Sequence, residues 1–148
     1  MHKPDFVYII YIATTPEKLW NALLDGEITR QYWKHRNVSD WKPGSRWEHR
    51  QLDQAATVDV VGKVVESDPP RRLVFTWSRP ADEGNAEKTS RVTFDIEPAG
   101  GNSVRLVVTH DELASDPKML TSISKGWPMV LSNLKSYIET GAPIANLW

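Results

Sequence analysis

The apolar positions near the start of the chain follow first the pattern of a strand and then that of a helix. Phe6–Ile12 is a run of β-branched and aromatic residues, which predicts a strand. Pro16, with a threonine before it, favours the start of a helix, because proline is tolerated in the first turn and a threonine hydroxyl caps free amides. Asp25 and Gly26 end this helix, and a second short helix is predicted over residues 27–33.

The middle of the chain changes to the two-residue period of strands that place apolar side chains on one face. Turn-forming proline, glycine and asparagine residues separate the apolar segments. The predicted strands cover residues 46–51, 57–66, 73–78, 90–97 and 104–111, and a polar loop is predicted over residues 79–88. The connections are short, so the predicted sheet is antiparallel.

A long amphipathic helix is predicted to begin at Asp116 and Pro117 and to end near Gly141. Its apolar positions recur at helical spacing and are Met119, Leu120, Ile123, Trp127, Val130, Leu131, Leu134 and Ile138. The predicted fold class is α+β. A curved antiparallel six-stranded sheet wraps around the long C-terminal helix, and two short helices follow strand 1. Such a sheet is expected to leave a cavity between itself and the helix.

Composition narrows the possible functions. A chain of 148 residues, 40% of them hydrophobic, suits one domain over residues 1–148. The 18 basic and 19 acidic residues argue against a nucleic-acid partner, and the absence of cysteine excludes disulfides and Cys-ligated metals. No signal-peptide pattern or membrane-length apolar run is present, so we expect a cytoplasmic protein with no membrane partner. Seven tryptophans indicate a thick core or a lined pocket.

Five segments together resemble a known family. They are TPEKLWNAL at residues 15–23, KPGSRW at 42–47, GKVVESDPP at 62–70, RLVFTW at 72–77, and Gly126-Trp127 followed by Leu131 and Leu134. In this order they resemble the START-like, or SRPBCC, superfamily, in the branch that is named for the C-terminal domain of the activator of heat-shock-protein-90 ATPase. The resemblance covers residues 6–139 and implies a helix-grip fold. It implies no single function, because members include small-molecule binders, cyclases, hydrolases and co-chaperone domains.

The candidate site residues lie on the expected inner surface. Trp47 and His49 share one strand face, so His49 either hydrogen-bonds a ligand or acts as a base in the cavity, or else lies on the outer surface. His110 continues an apolar strand face, where the alternative is a core histidine with a backbone or water partner. The predicted cavity lining is Trp33, Trp47, His49, Phe75, Trp77, Phe94, His110 and Trp127.

The motifs of common catalytic and cofactor sites are absent from the sequence. No pair of histidines has metal-ligand spacing, and there is no Gly-x-Ser-x-Gly elbow, phosphate-binding loop or dinucleotide fingerprint, so we expect no metal and no cofactor. The leading hypothesis is the binding of a hydrophobic, aromatic small molecule, which a closed cavity lined by tryptophan would favour. An exposed apolar patch would favour a protein-interaction module, with a protein partner. Two ionisable groups in hydrogen-bond contact inside the cavity would favour an enzyme.

Overall fold

A computed structural model describes residues 5–113 and 117–147, so Asp116 lies outside the described residues. The strands are β1 (Phe6–Ile12), β2 (His35–Val38), β3 (Arg46–Gln51), β4 (Val58–Asp68), β5 (Arg72–Trp77), β6 (Ser90–Ala99) and β7 (Ser103–Asp111). The helices are α1 (Pro16–Leu24), α2 (Gly26–Tyr32) and α3 (Pro117–Thr140). Two short 3₁₀ turns, Pro80–Asp82 and Ala86–Lys88, lie in the segment between β5 and β6.

The seven strands form one curled antiparallel sheet in the order β1-β7-β6-β5-β4-β3-β2. The predicted α+β helix-grip architecture is confirmed, but the sheet has seven strands and not six. The additional strand is β2, whose residues His35–Val38 pair with β3 so that Asn37 lies opposite His49. Sequence patterning missed β2 because three of its four residues are polar and carry no apolar alternation.

Two caps set the path of the chain between β1 and β2. The Thr15 hydroxyl accepts a hydrogen bond from the Lys18 amide at 3.2 Å, which fixes the start of α1. Asp25 ends α1 and also caps α2, because its carboxylate accepts from the Glu27 amide at 2.8 Å. The two helices therefore follow each other directly, and α2 ends at its C-cap residue Trp33, next to the edge strand β2.

The apolar face of α3 closes the core against the inner face of the sheet. Its buried residues are Ile123, Trp127, Val130, Leu131, Asn133 and Leu134. All of these except Asn133 belong to one hydrophobic core cluster with buried residues from β1, from β3 to β7, and from α1 and α2. Among the helices described, none is long and apolar enough to cross a membrane.

We expect Leu134→Ala to lower the free energy of unfolding by about 2–5 kcal/mol, because Leu134 is fully buried on α3 and its removal leaves a cavity. Urea denaturation measures the change. Leu52→Ala is the matched control, since Leu52 is 49% exposed and its truncation should change stability by less than about 0.5 kcal/mol. Equal effects of the two substitutions would contradict the packing of α3 on the sheet.

Candidate functional site

A cavity of about 580 Å³ lies between the first half of α3 and the strands β2 to β5. Its aromatic walls are Trp33, Trp77 and Trp127, and α3 adds Met119, Ile123 and Val130. Its polar lining consists of Lys34, His35, His49, Asp59, Arg79 and Ser122. This volume and this mixture of aromatic walls with a few polar groups are typical of small-molecule sites.

The aromatic walls come from three separate parts of the chain. Trp127, on α3, lies with its ring centroid 5.5 Å from that of Trp33 and 5.8 Å from that of Trp77. Trp33 caps the C-terminus of α2, and its ring meets the imidazole of His49 at a centroid distance of 4.9 Å. These separations are within the range of favourable aromatic pairs, so the walls support one another.

A chain of hydrogen bonds holds the helix wall to the sheet. The Trp127 indole N–H donates to Nδ1 of His110 at 3.1 Å, and Nε2 of His110 lies 2.7 Å from the Ser90 hydroxyl. An indole nitrogen only donates, so Nδ1 of His110 is unprotonated and Nε2–H donates to Ser90. The Ser90 hydroxyl in turn donates to the Trp77 carbonyl at 3.1 Å.

His110 is therefore a core residue whose two ring nitrogens are both satisfied by side chains. It is fully buried, and burial lowers its pKa to about 3 although nearby Asp5 acts in the opposite direction. The core interpretation of this histidine agrees with its position, and the partners that the structure shows are the side chains of Trp127 and Ser90.

His49 and His35 form a stacked imidazole pair at the edge of the cavity. Their ring centroids are 3.9 Å apart and their planes differ by 6°. Nδ1 of His49 lies 2.5 Å from the side-chain oxygen of Asn37, which only accepts, so Nδ1 carries the proton and Nε2 is an acceptor. Burial, and after it the charge of His35, holds the pKa of His49 well below its ordinary value.

His35 has both ring nitrogens occupied by protein acceptors. Nδ1 lies 3.1 Å from the Trp33 carbonyl, and Nε2 lies 2.8 Å from a carboxylate oxygen of Asp59. Asp59 reaches this position because of a β-bulge, in which His49 pairs with Val60 whereas the next residue of β3 pairs with Val58. The bulge brings the consecutive residues Asp59 and Val60 both to the cavity wall.

The side chain of Trp77 has a polar group without a hydrogen-bond partner. Its side chain is 8% exposed, and its indole N–H has no hydrogen-bond acceptor among the described residues. A buried donor without a partner costs about 1–3 kcal/mol. Beside it, Nε2 of His49 also lacks a partner within the described part of the chain. The cavity wall thus includes Trp77, whose buried indole N–H is unpartnered among the described residues, and His49, whose Nε2 is an acceptor, beside apolar side chains.

The structure separates the predicted lining residues into two groups. Four of them line the cavity and are Trp33, His49, Trp77 and Trp127. The other four are buried in the core and do not line it: Trp47, Phe75, Phe94 and His110. The two groups differ in how deeply their side chains lie in the core, and not in which face of a strand they occupy. For example, the ring centroids of Trp47 and Trp77 are 5.7 Å apart, and those of Phe94 and Trp127 are 5.9 Å apart, so the core rings pack against the cavity walls.

Trp47 occupies its core position because β4 lacks a side chain at Gly62. The Trp47 indole N–H donates to the Thr76 carbonyl at 2.7 Å, across the strand that separates them. A Cβ atom on Gly62 would lie 1.9 Å from that carbonyl oxygen and 2.6 Å from the indole nitrogen. Trp47 therefore has its polar atom satisfied inside the sheet and offers none to a ligand.

Sequence reasoning missed five polar lining residues, which are Lys34, His35, Asp59, Arg79 and Ser122. His35 and Asn37 alternate with a period of two, and this polar alternation opposite His49 was the available signal for β2. Asp59 carried no signal, because a bulge is set by tertiary strand pairing and not by local sequence.

Other hollows lack this combination of groups. Two wider ones, of about 780 and 830 Å³, lie beside α1, and no histidine lines either of them. The first has the half-buried Trp20 and Trp41 in its wall, and the second contains the Thr14 hydroxyl, which is also unpartnered within the described residues. Over residues 5–113 and 117–147, no group of three or more His, Asp or Glu side chains is placed to hold a metal ion.

Comparison with protein families identifies a match over most of the chain. The model of the family described as "Activator of Hsp90 ATPase homolog 1-like protein" matches residues 13–139. No curated protein matches the chain significantly.

Solved structures with the same fold include three from different organisms. The Aha1 dimer from Colwellia psychrerythraea is 18% identical with a TM-score of 0.74, over 92% of this chain and 96% of that one. CalU16 from Micromonospora echinospora is 21% identical with a TM-score of 0.73, over 95% and 77%. PFC0360w, an HSP90 activator from Plasmodium falciparum, is 22% identical with a TM-score of 0.71, over 93% and 96%. At these identities the likeness concerns the fold.

The buried His110 predicts a pH dependence of stability. Its folded pKa of about 3 is below the unfolded value of about 6.5, so between these values the unfolded chain binds a proton that the folded chain does not. The stability that neutral His110 contributes is complete above about pH 6.5 and is lost as the pH falls toward 3.

The free energy of unfolding of the wild type should fall as the pH decreases from about 6.5 to 5. We expect His110→Gln to reduce the slope of this fall by up to about 1.4 kcal/mol per pH unit. Glutamine retains an acceptor for Trp127 and a donor for Ser90 but does not titrate. Urea denaturation at a series of pH values measures the slope. The same slope in both proteins would mean that His110 is not held neutral by burial.

Proposed function

The chain belongs to the family of activator of Hsp90 ATPase homolog 1-like proteins, and from this premise we propose that it binds a small aromatic molecule in the cavity between α3 and the strands β2 to β5. Family and fold support a ligand-binding or Hsp90-activator-like role in general terms. The observation that carries the finer proposal is that three tryptophans line one cavity together with His49, whose hydrogen bond to Asn37 uses only Nδ1, and that the indole N–H of Trp77 is unpartnered among the described residues.

Aromatic walls favour a flat apolar ligand for a physical reason. The ring of Trp127 lies within 6 Å of the rings of Trp33 and Trp77, and a ligand ring that packs against these walls gains burial and aromatic packing. The cavity of about 580 Å³ is in the usual range for sites that bury most of a small molecule. The few polar groups then fix the orientation of the ligand.

The enzyme alternative finds one supporting feature in the cavity wall. His35 and Asp59 are two ionisable groups in hydrogen-bond contact, at 2.8 Å. However, both ring nitrogens of His35 face protein acceptors, so the pair has no nitrogen left for a substrate proton. This geometry supports a positioning role for His35, which stacks on His49, and favours binding over acid–base catalysis.

The protein-interaction alternative is favoured by a different surface. Val7, Ile9 and Tyr11 are about half exposed and share the outer face of β1, which is an edge strand of the sheet. If the chain acts as an Hsp90 activator through this face, adding it to Hsp90 should raise the ATPase rate, and Ile9→Arg should remove the rise. Binding of a small molecule in the cavity would be unaffected by that substitution.

The cavity proposal is tested with N-phenyl-1-naphthylamine, a neutral aromatic probe whose fluorescence increases in apolar sites. We expect saturable binding to the wild type and at least about tenfold weaker binding to Gly126→Leu. Gly126 lines the cavity, and a Cβ atom there would meet open space, so the leucine fills the site. The substitution should also favour the helix, since glycine is the weaker helix former by up to about 1 kcal/mol.

Gly100→Leu is the matched control. Gly100 also has open space around a would-be Cβ atom, but it lies in the β6–β7 turn, outside the cavity. The control should bind the probe like the wild type. The absence of saturable binding to the wild type, or equal binding to Gly126→Leu, would contradict the proposed function.

A further inference from the structure

We infer that the ligand of this cavity carries a hydroxyl group on its aromatic ring, and that this group donates a hydrogen bond to Nε2 of His49 and accepts one from the indole N–H of Trp77. The inference rests on the proposed function, because it names the polar group of the molecule that the cavity would bind. It follows from the donors and acceptors that the described residues leave unused.

The first requirement on the ligand is a hydrogen-bond donor. Asn37 occupies Nδ1 of His49 through an acceptor oxygen, which leaves Nε2 as a lone-pair nitrogen. The ring is 5% exposed, and burial holds its pKa well below the ordinary value, so it remains an acceptor at neutral pH. A ligand group that meets this nitrogen must bring its own hydrogen.

The second requirement is a hydrogen-bond acceptor. The indole N–H of Trp77 is buried and lacks a partner within the described residues, and an indole nitrogen never accepts. A ligand oxygen that bonds this N–H removes the cost of a buried unsatisfied donor. The Trp77 and His49 rings are neighbours in the cavity wall, with their centroids 5.9 Å apart, so a single ligand group can lie beside both side chains.

A hydroxyl is the smallest group that meets both requirements with one atom. An ether oxygen accepts but does not donate, and a carboxylate would place a lone pair against the lone pair of His49. A carboxylate beside His49 would lose its hydration next to a neutral imidazole.

The test compares three ligands that share a naphthalene body and differ in one substituent. Isothermal titration calorimetry at neutral pH measures the affinities of 2-naphthol, 2-methoxynaphthalene and 2-naphthoate. We expect 2-naphthol to bind at least about tenfold more tightly than either analogue, because a site built to hydrogen-bond a hydroxyl rejects molecules that lack it. Equal affinities, or tightest binding of 2-naphthoate, would overturn the inference while leaving aromatic binding intact. If no ligand of the three binds, the proposed function itself fails.

Two variants locate the polar contacts. Trp77→Phe removes the donor and keeps a ring, and His49→Phe removes the acceptor and keeps an aromatic partner for the stack with His35. Each should reduce the 2-naphthol to 2-methoxynaphthalene affinity ratio to about threefold or less. The ratio is compared within one protein, so partial destabilisation of a variant does not imitate the result.

Trp20→Phe is the control for the two variants, because Trp20 lines a hollow beside α1 and not this cavity. The control should retain the wild-type ratio. If the ratio persists in both Trp77→Phe and His49→Phe, the hydroxyl is recognised elsewhere and the inference is overturned.

Discussion

The hydrogen-bonded chain from Trp127 through His110 and Ser90 to the Trp77 carbonyl is the interaction on which the rest of the site depends. It joins α3 to β7, β6 and β5 through groups that are all buried. Loss of one member would leave a buried polar atom unsatisfied, at a cost of about 1–3 kcal/mol. The same chain sets the two tryptophan walls at a centroid distance of 5.8 Å, so the stability of the core and the shape of the cavity are linked.

The chemistry of the cavity follows from how the three described histidines use their ring nitrogens. Both ring nitrogens of His110 are hydrogen-bonded, to Trp127 and to Ser90. Both ring nitrogens of His35 are hydrogen-bonded as well, to a carbonyl and to a carboxylate. His49 gives one to Asn37 and keeps the other. Burial keeps His49 and His110 neutral, but only His49 lines the cavity. The ligand that we propose would therefore bring a donor hydrogen to Nε2 of His49.

The segments whose apolar residues have a strong strand or helix period were sufficient to predict the fold. The predictions of β1, of the strands after residue 45 and of α3 are confirmed, as is the resemblance to the START-like superfamily in its Hsp90-activator branch. The strand β2 was missed because its pairing with β3, and not an apolar pattern, makes it a strand.

The site was less predictable because two of its determinants are tertiary. Trp47 and Trp77 both point inward and share the same strand period, yet Trp47 bonds Thr76 inside the sheet and Trp77 reaches the cavity. The alternation of apolar and polar residues along a strand predicts which side chains face the interior, but it does not predict how deeply each of them lies. Asp59 reaches the cavity through a bulge in the pairing of β3 with β4, which no local pattern encodes.

The central claim is tested most directly by the indole N–H signals in a two-dimensional ¹H–¹⁵N NMR spectrum during titration with 2-naphthol. The signal of Trp77, assigned with Trp77→Phe, should show the largest shift, because its N–H gains an acceptor. The signals of Trp47 and Trp127 should move less, since Thr76 and His110 already accept from them. An unmoved Trp77 signal at saturation, or dominant shifts at Trp20 and Trp41, would place the ligand elsewhere and contradict the account.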